Sequence, residues 1–478
     1  MIKFGTGGWR AIIGDEFIKS NIELLAQSLA DEINGNEYGK EIVISYDRRF
    51  LSREAAGWIS KVLTANGIKV YFINKVCPTP MAMFTVREMG ADLGIAVTAS
   101  HNPALYNGVK VIVKGGKDAP AEFTDKLEAG IARVTGIKSI SCEEAGSRGL
   151  MEYINPENEY IDGILKCINV EAIKKRNLSV VADPMHGVSA KYLQTVLTIL
   201  RCECKLIHDW HDTLFGKRVP SPTQESLGRL RYHVRSGGYD LGIGSDGDGD
   251  RLAVFDEKGG FIHPNMILSL LYYYLLEYKG TVGPVVRNMS TTHLLDKIAA
   301  SYGQAAYEVP VGFKHIGSAM ERHNCIIGGE SSGGLTIAGH IKGKDAIFAT
   351  ALFLEMLAVI GKPASQLIED LESRYGRHFF KENNILLDSA RKTRLEDRLF
   401  VRRALPEFGC PIEKIDYSDG LKLYFRNGWL TCRFSGTEPM MRIFAESTDE
   451  YELERIEAGF VEFISGRTDA GQADNIEG

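Results

Sequence analysis

Three carboxylates stand at alternate positions in the stretch DGDGDR: Asp246, Asp248 and Asp250, with a glycine between each pair. Like charges this close repel unless a cation neutralises them, and hard oxygen donors on compact glycine turns suit Mg2+ or Ca2+. An EF-hand loop is excluded: Glu257 falls at its twelfth position, but Arg251 stands where the sixth needs glycine, and the flanks read as strands. An aspartyl-phosphate phosphatase is a second carboxylate chemistry, without a partner motif here, and a solvated acidic loop is the plain alternative.

Three other stretches carry reactive or anion-binding types. TASHNP sets Ser100 beside His101 on a strand-to-loop turn, although Ser, Asn and Pro are also ordinary turn residues. TASHNP does not fit GxSxG, which argues against an α/β-hydrolase elbow at Ser100. GGESSGG places Glu330 and Ser332 between glycine pairs, offering acceptors and donors that suit sugar hydroxyls or simply a structural turn. RFSGTEPMMR gathers Arg433, Ser435, Gly436, Thr437 and Arg442. Backbone amides, two hydroxyls and two guanidinium forks form a nest for a phosphate, unless Glu438 or Glu446 takes up the arginines.

The elements that must position these loops are legible in the alternation of short β-branched runs with helix-like stretches. EIVISYD, AAGWISKVLTANG, IKVYFIN and DLGIAVTAS form one such series, and the pattern recurs after residues 175 and 280. These are βαβ units, three α/β domains in series. DLGIAV (92–97) and DLGIGS (240–245) share four residues, NCIIGG (324–329) has a similar shape, and each run ends in a loop named above. From about 375 the order changes to an α+β pattern, including a basic stretch, RKTRLEDRLFVRR, whose Leu395, Leu399 and Phe400 fit one buried helix face. The expected domains are 1–150, 151–258, 259–372 and 373–478, with a frayed polar tail, TDAGQADNIEG.

At 478 residues the chain exceeds a single core. Its net charge of −6, from 56 basic and 62 acidic residues, gives no global reason to hold nucleic acid or an anionic membrane, so any anion site must be local. The longest apolar runs, MILSLLYYYLLEY and AIFATALFLEMLAVI, are too short to span a bilayer and read as buried helices, the second interrupted by Glu355. No signal peptide opens the chain, and eight scattered cysteines without a CxxC pair suit a reduced, cytoplasmic protein.

Taken in order, these stretches resemble the α-D-phosphohexomutase family, which includes phosphoglucomutases, phosphomannomutases and phosphoglucosamine mutases. FGTGGWR with Arg10, Asp47 and Arg49 of YDRRF, PTP (78–80), TASHNP, NGVK (107–110), DGDGDR, VGFK (311–314), GGESSGG, KDA (344–346) and RFSGTEPMMR follow in family order over nearly the whole chain. The resemblance implies four domains around a central cleft, three similar mixed-sheet α/β domains and a C-terminal domain like the TATA-box-binding protein. It implies Ser100 as a phosphoserine whose phosphate joins Asp246, Asp248 and Asp250 on Mg2+, with Arg10, His101, Lys110, Arg251 and Lys314 around the reacting phosphate. Glu330 and Ser332 would contact sugar hydroxyls, and the Arg433 to Arg442 loop would hold the phosphate that is not reacting.

The implied reaction interconverts hexose 1-phosphate and hexose 6-phosphate, glucose before mannose, with glucose 1,6-bisphosphate as activator and intermediate. His101 and Lys110 are the proton-transfer candidates. Phosphoglucosamine mutase and a non-catalytic sugar-phosphate-binding protein are the alternatives; the partners are small sugar phosphates, and the chain is a monomer or homodimer. Two departures stand out. Gly334 replaces a histidine of some members, so no role for that histidine carries over, and Ala346 replaces the glycine of the usual KDG.

Overall fold

The computed structural model describes residues 2–5, 7–435 and 439–465, so Gly436, Thr437 and the polar tail lie outside the described residues. Each of the first three domains is built on one four-strand unit. In the first, Glu41–Tyr46 runs parallel to Lys69–Ile73 and to Leu93–Val97, and Tyr106–Val113 returns antiparallel beside Leu93–Val97. Ser179–Asp183, Glu203–Leu206, Leu241–Ser245 and Leu252–Phe255 repeat that arrangement. So do Val285–Asn288, Ala306–Val309, Ile327–Gly329 and Leu335–Ile337. TASHNP, DGDGDR and GGESSGG each fill the turn between third and fourth strand, so the shared DLGI marks equivalent strands in equivalent sheets. Both Leu93–Val97 and Leu241–Ser245 are buried at every residue, as expected of strands covered on both faces.

Short edge strands extend two of the sheets beyond the alternating runs. Met151–Ile154 pairs in parallel with Lys69–Ile73, so the first sheet closes beyond residue 150. Phe261–Ile262 pairs with Leu252–Phe255 and carries the second sheet past 258. Both cover edges whose N–H and C=O groups would otherwise stay open. At the other edge, Gly8–Ile12 pairs with Tyr106–Val113, which brings Arg10 alongside the serine loop.

The helix Ala346–Ile360 is buried from Ala346 to Leu357. It is apolar all round because it lies between Val170–Arg176 and Ser189–Ile199 of the second domain and Pro264–Glu277 of its own. The interrupting Glu355 is buried and satisfied, accepting from Tyr274 Oη at 2.8 Å and from Lys279 Nζ at 2.9 Å. One apolar core thus runs through the first three domains, from Phe84 and Tyr160 to Leu271 and Phe353. Among the described residues no single helix is long and apolar enough to cross a membrane.

The last domain has a core of its own beneath a five-stranded antiparallel sheet, in the order Phe379–Leu386, Met440–Ser447, Gly428–Phe434, Leu421–Tyr424, Lys414–Asp416. The basic stretch is the helix Ser389–Glu396 continued by a wider turn over Asp397–Val401, with Leu395 and Leu399 buried.

Charges fasten this domain to the third. Lys422, wholly buried, donates to Glu308 Oε2 at 2.6 Å and to Met289 O at 2.7 Å, and Tyr424 Oη donates to Glu308 Oε1 at 2.5 Å. Arg287 also bonds Glu308 and holds Asp296 through two nitrogens, at 2.7 and 2.9 Å. Burial, with Arg287 nearby, pulls Lys422 down to about 8, so Glu308 is the anion that keeps both cations tolerable. Glu308→Gln leaves them facing one another, and the expected cost is about 3 kcal/mol of stability, read as a lowered midpoint of thermal unfolding. An unshifted midpoint would show that this contact does not fasten the two domains.

Candidate active site

Ser100 is presented by a buried arginine. Arg49 donates through its terminal nitrogens to the carbonyls of Ser100 and Asn102, both at 2.6 Å, and of Pro103 and Tyr106, at 2.9 and 3.0 Å. Asp47 fixes that arginine, its Oδ2 lying 3.3 Å from Arg49 Nε, and itself accepts from Ser52 Oγ and Thr98 Oγ1, both at 2.6 Å. Thr98 Oγ1 in turn accepts from Ser100 N at 2.9 Å. The result is a serine with φ of 51°, a left-handed conformation that a non-glycine residue holds only when its surroundings impose it.

Ser100 Oγ donates to Asp246 Oδ2 at 2.9 Å, so the serine and acidic loops meet as the sequence implies. Their contact is so close that a Cβ at Gly247 would lie 2.6 Å from Ser100 O, and Gly249 takes a φ of 75°; the glycines between the carboxylates are required by space and by conformation. Asp246 Oδ1 accepts from the amides of Asp250 and Arg251, at 2.9 and 3.0 Å. Asp248 Oδ2 accepts from Lys110 Nζ at 2.6 Å and Thr79 Oγ1 at 2.7 Å, and Asp250 Oδ2 from Lys110 Nζ at 3.0 Å. Thr79 N also reaches Asp248 O at 3.0 Å, which gives the PTP stretch a positioning task that its sequence does not announce.

All three carboxylates are buried, and each offers an oxygen within 4.8 Å of the others. At that spacing each pair of charges repels by roughly 3 kcal/mol in an effective dielectric of about 20. Burial and the charges of Asp250 and Asp248 accordingly push Asp246 well above the ordinary carboxylate range. At Asp248 burial acts the same way, but Lys110 more than offsets it and holds the carboxyl below that range. Asp248 Oδ1 and Asp250 Oδ1 are buried and, among the described residues, have no hydrogen-bond partner. Two orphaned carboxylate oxygens beside a third carboxylate are a donor set for a hard divalent cation.

Around this acidic centre lies a ring of cations. Arg10 bonds Asn102 Oδ1, and burial together with Arg251 lowers its guanidinium to about 10. His101 Nδ1 lies 3.4 Å from Ser100 Oγ. Burial, then Arg251, Arg10, Lys344 and Arg442, push His101 well below the ordinary imidazole range, so it is neutral near pH 7. Arg442 of the last domain therefore reaches far enough over the cleft to be felt at the serine loop. Lys344, which sequence reasoning quoted within KDA without assigning it a role, lies 3.3 Å from Asp250 Oδ2.

Glu330 and Ser332 lie in the corresponding loop of the third domain. Glu330 Oε1 accepts from Asn288 Nδ2 at 3.1 Å and Gly312 N at 3.2 Å, while Ser332 is exposed with its Oγ 3.4 Å from Glu330 Oε2. Gly333 O accepts from Leu252 N at 2.9 Å, tying the loop to the strand that follows the aspartates. Lys314, next to Gly312, lines a small cavity of about 20 Å³ with Gly7, Gly8, Lys110 and Asp118, and so faces the first domain.

In the last domain Arg433 and Arg442 lie directly opposite each other on adjacent antiparallel strands. Like charges in that register are unfavourable unless an anion lies between them. Arg433 lies 3.5 Å from Asp419 Oδ1, and its Nε, among the described residues, has no hydrogen-bond partner. Glu446, the other acidic candidate named above, accepts from His293 N at 2.8 Å and Trp429 Nε1 at 3.2 Å. Ser435 N donates to Met440 O at 2.9 Å.

Comparison with known proteins identifies the family. Family models for phosphoglucomutase/phosphomannomutase alpha/beta/alpha domains I, II and III match residues 1–137, 158–260 and 263–375, and the model for the C-terminal domain matches 388–463. A phosphoglucomutase/phosphomannomutase of Thermococcus kodakarensis is 30% identical over 95% of this chain and 97% of its own length. A phosphoglucosamine/phosphogalactosamine mutase of Sulfurisphaera tokodaii is 28% identical over 94% and 95%. A crystal structure from Thermus thermophilus superposes with a TM-score of 0.85 at 27% identity, covering 97% of this chain and 99% of that one. With four matched domains in order and a relative aligned end to end, the chain belongs to the phosphoglucomutase/phosphomannomutase family of phosphohexomutase enzymes.

Proposed function

We propose that the protein interconverts hexose 1-phosphate and hexose 6-phosphate, glucose before mannose, with phosphorylated Ser100 as donor and the hexose 1,6-bisphosphate as intermediate. The observation that carries this reading is Ser100 Oγ held 2.9 Å from Asp246 inside a ring of cations, with Arg433 and Arg442 paired across two strands of the last domain. A donor site and a second phosphate site together suit a substrate that binds in either of two orientations.

Asp246, Asp248 and Asp250 would hold Mg2+, to which their hard oxygens and two unpartnered atoms are suited. When bound, the ion supplies charge neutralisation at the transferring phosphoryl group. The remaining work falls to the chain itself. Arg10, Arg251 and Lys314 orient the reacting phosphate, and Glu330 and Ser332 orient the sugar through hydroxyls common to both binding modes. Neutral His101 is able to accept the proton of the attacking hydroxyl. Lys110, which Asp248 and Asp250 keep protonated against the effect of burial, is able to return one. Arg433 and Arg442, with Ser435, Gly436 and Thr437, hold the other phosphate.

Amino-sugar phosphates are the second reading, because a relative named for glucosamine and galactosamine phosphates matches over nearly the same length. Side-by-side rates on glucose, mannose and glucosamine phosphates decide between them, and a clearly higher kcat/KM for glucosamine phosphate would overturn the preference for glucose.

Protein stripped of phosphate should show a lag on glucose 1-phosphate that catalytic glucose 1,6-bisphosphate abolishes, and Ser100→Ala should bind sugar phosphate yet stay inactive with the activator present. Full initial rates from stripped protein, or mutase activity in Ser100→Ala, would refute the phosphoserine mechanism. Asp248→Asn should weaken Mg2+ binding and lower turnover strongly, since it removes one of three metal-facing charges; unchanged Mg2+ dependence would remove the aspartates from the metal site. Arg433→Ala should raise KM for hexose phosphate by an amount equivalent to about 1.5–3 kcal/mol. A lowered melting temperature with KM unchanged would instead give this arginine a structural role.

A further inference from the structure

Asp419 brings one carboxylate to two domains at once. It belongs to the turn between Lys414–Asp416 and Leu421–Tyr424 of the last domain. Its Oδ2 accepts from Val311 N of the third domain at 2.7 Å, and its Oδ1 lies 3.5 Å from a terminal nitrogen of Arg433. Asp416 Oδ1 steadies the turn by accepting from Ser418 N at 2.8 Å. Gly420 then takes a φ of 85°, and a Cβ there would stand 2.4 Å from Cys432 O and 2.9 Å from Arg433 Cβ. The turn is therefore pressed against the strand that presents Arg433, and only glycine allows that approach.

The far end of the contact is as closely built. Val311 opens the stretch VGFK, and the next amide, Gly312 N, donates to Glu330 Oε1 at 3.2 Å. Two consecutive amides thus reach carboxylates of two domains, Asp419 in the last and Glu330 in the third, just before Lys314. Upstream of Val311, Glu308 bonds Lys422 and Tyr424, which follow Asp419 in the chain, so the same two segments meet twice. Burial and Lys314 hold His315 below the ordinary imidazole range, and Asp419, Glu330 and Arg433 are all close enough to act on it. The Arg433 charge therefore stands near the VGFK turn.

The Glu308 junction already fastens the two domains, so Asp419 is not needed to hold them together. What it adds is direction. Arg433 stands opposite Arg442, and a guanidinium free to swing would turn away from that like charge. A carboxylate fixed on one side sets its direction, while contact through a single terminal nitrogen at 3.5 Å leaves Nε, which has no hydrogen-bond partner among the described residues, for another anion. We infer that Asp419 is a positioning residue for hexose phosphate: it aims Arg433 and ties it to the VGFK turn, so that the hold of the last domain on a phosphate is coupled to the segment bearing Lys314 and to Glu330. The inference rests on the mutase reading of the site.

Initial rates on glucose 1-phosphate, with Mg2+ and glucose 1,6-bisphosphate present, test it. Asp419→Ala should raise KM about tenfold and leave kcat within about twofold, a split that general loosening of the fold does not produce. Asp419→Asn keeps an acceptor for Val311 N but loses the charge facing Arg433, and should raise KM about fivefold. Asp419→Ala combined with Arg433→Ala should add less than about twofold to Arg433→Ala alone, because its effect passes through the arginine. Thermal unfolding identifies variants that keep the parent fold, and Asp419→Asn carries the comparison if Asp419→Ala does not. A KM equal to that of the parent in a folded variant, a kcat that falls as far as KM rises, or an effect that adds in full to Arg433→Ala would overturn the inference alone. A parent protein that does not interconvert glucose 1-phosphate and glucose 6-phosphate would overturn the mutase reading, and the inference with it.

Discussion

Holding three buried carboxylates together beside Ser100 is the constraint on which the rest of the structure depends. Each additional negative charge in that volume costs several kcal/mol unless it is answered at short range. The answer is distributed over the chain: Lys110 from the fourth strand of the first domain, Arg251 from the acidic loop, Lys344 from a turn in the third domain, and Arg10 from the N-terminal strand. No one domain supplies both signs in the number required, so the site exists only where domains meet. The burial that makes the charges expensive also makes their fields strong, which is why His101 stays neutral and Lys110 stays charged within one small volume.

The fold meets this demand by repetition. Three sheets of one strand order each place a short loop at the corner between a parallel strand and its antiparallel return, and the three loops differ only in what they carry: a serine, three aspartates, a glutamate with serines. A common core through the first three domains fixes the corners relative to one another, with the helix Ala346–Ile360 as its centre. The last domain packs on a separate core and is fastened by charged and polar groups around Glu308. The serine loop and the acidic loop therefore rest on continuous apolar packing, while the arginine pair rests on a polar junction.

Much of this was legible in the chain because the decisive residues are chemically conspicuous. Alternate aspartates, a serine closing an apolar run and two arginines about a Ser-Gly-Thr turn announce their chemistry by type, and the strand-helix alternation announces the sheets. What was not legible depends on register or on backbone. Arg49 acts through four carbonyl oxygens, which no side-chain pattern encodes. Thr79 and Asp248 are far apart in sequence, and Lys344 packs on Gly334 across a hairpin, so neither contact leaves a local trace. The edge strands Met151–Ile154 and Phe261–Ile262 are too short to show a period, so the alternation of strands and helices does not reveal how far each sheet extends.

Several departures from ordinary folding rules lie at the site. Ser100 is held left-handed, Arg10 is lowered to about 10, two arginines oppose each other across a strand pair, and two carboxylate oxygens lack partners. Away from the cleft even the buried Glu355 is fully answered. On the mutase reading proposed above, a divalent cation would satisfy the orphaned oxygens and a phosphate on Ser100 would answer Arg10 and its neighbours. Because such costs are laid down when the chain folds and returned only when compensating charges arrive, the proposed site would answer to the charge of its ligand before it reads the sugar.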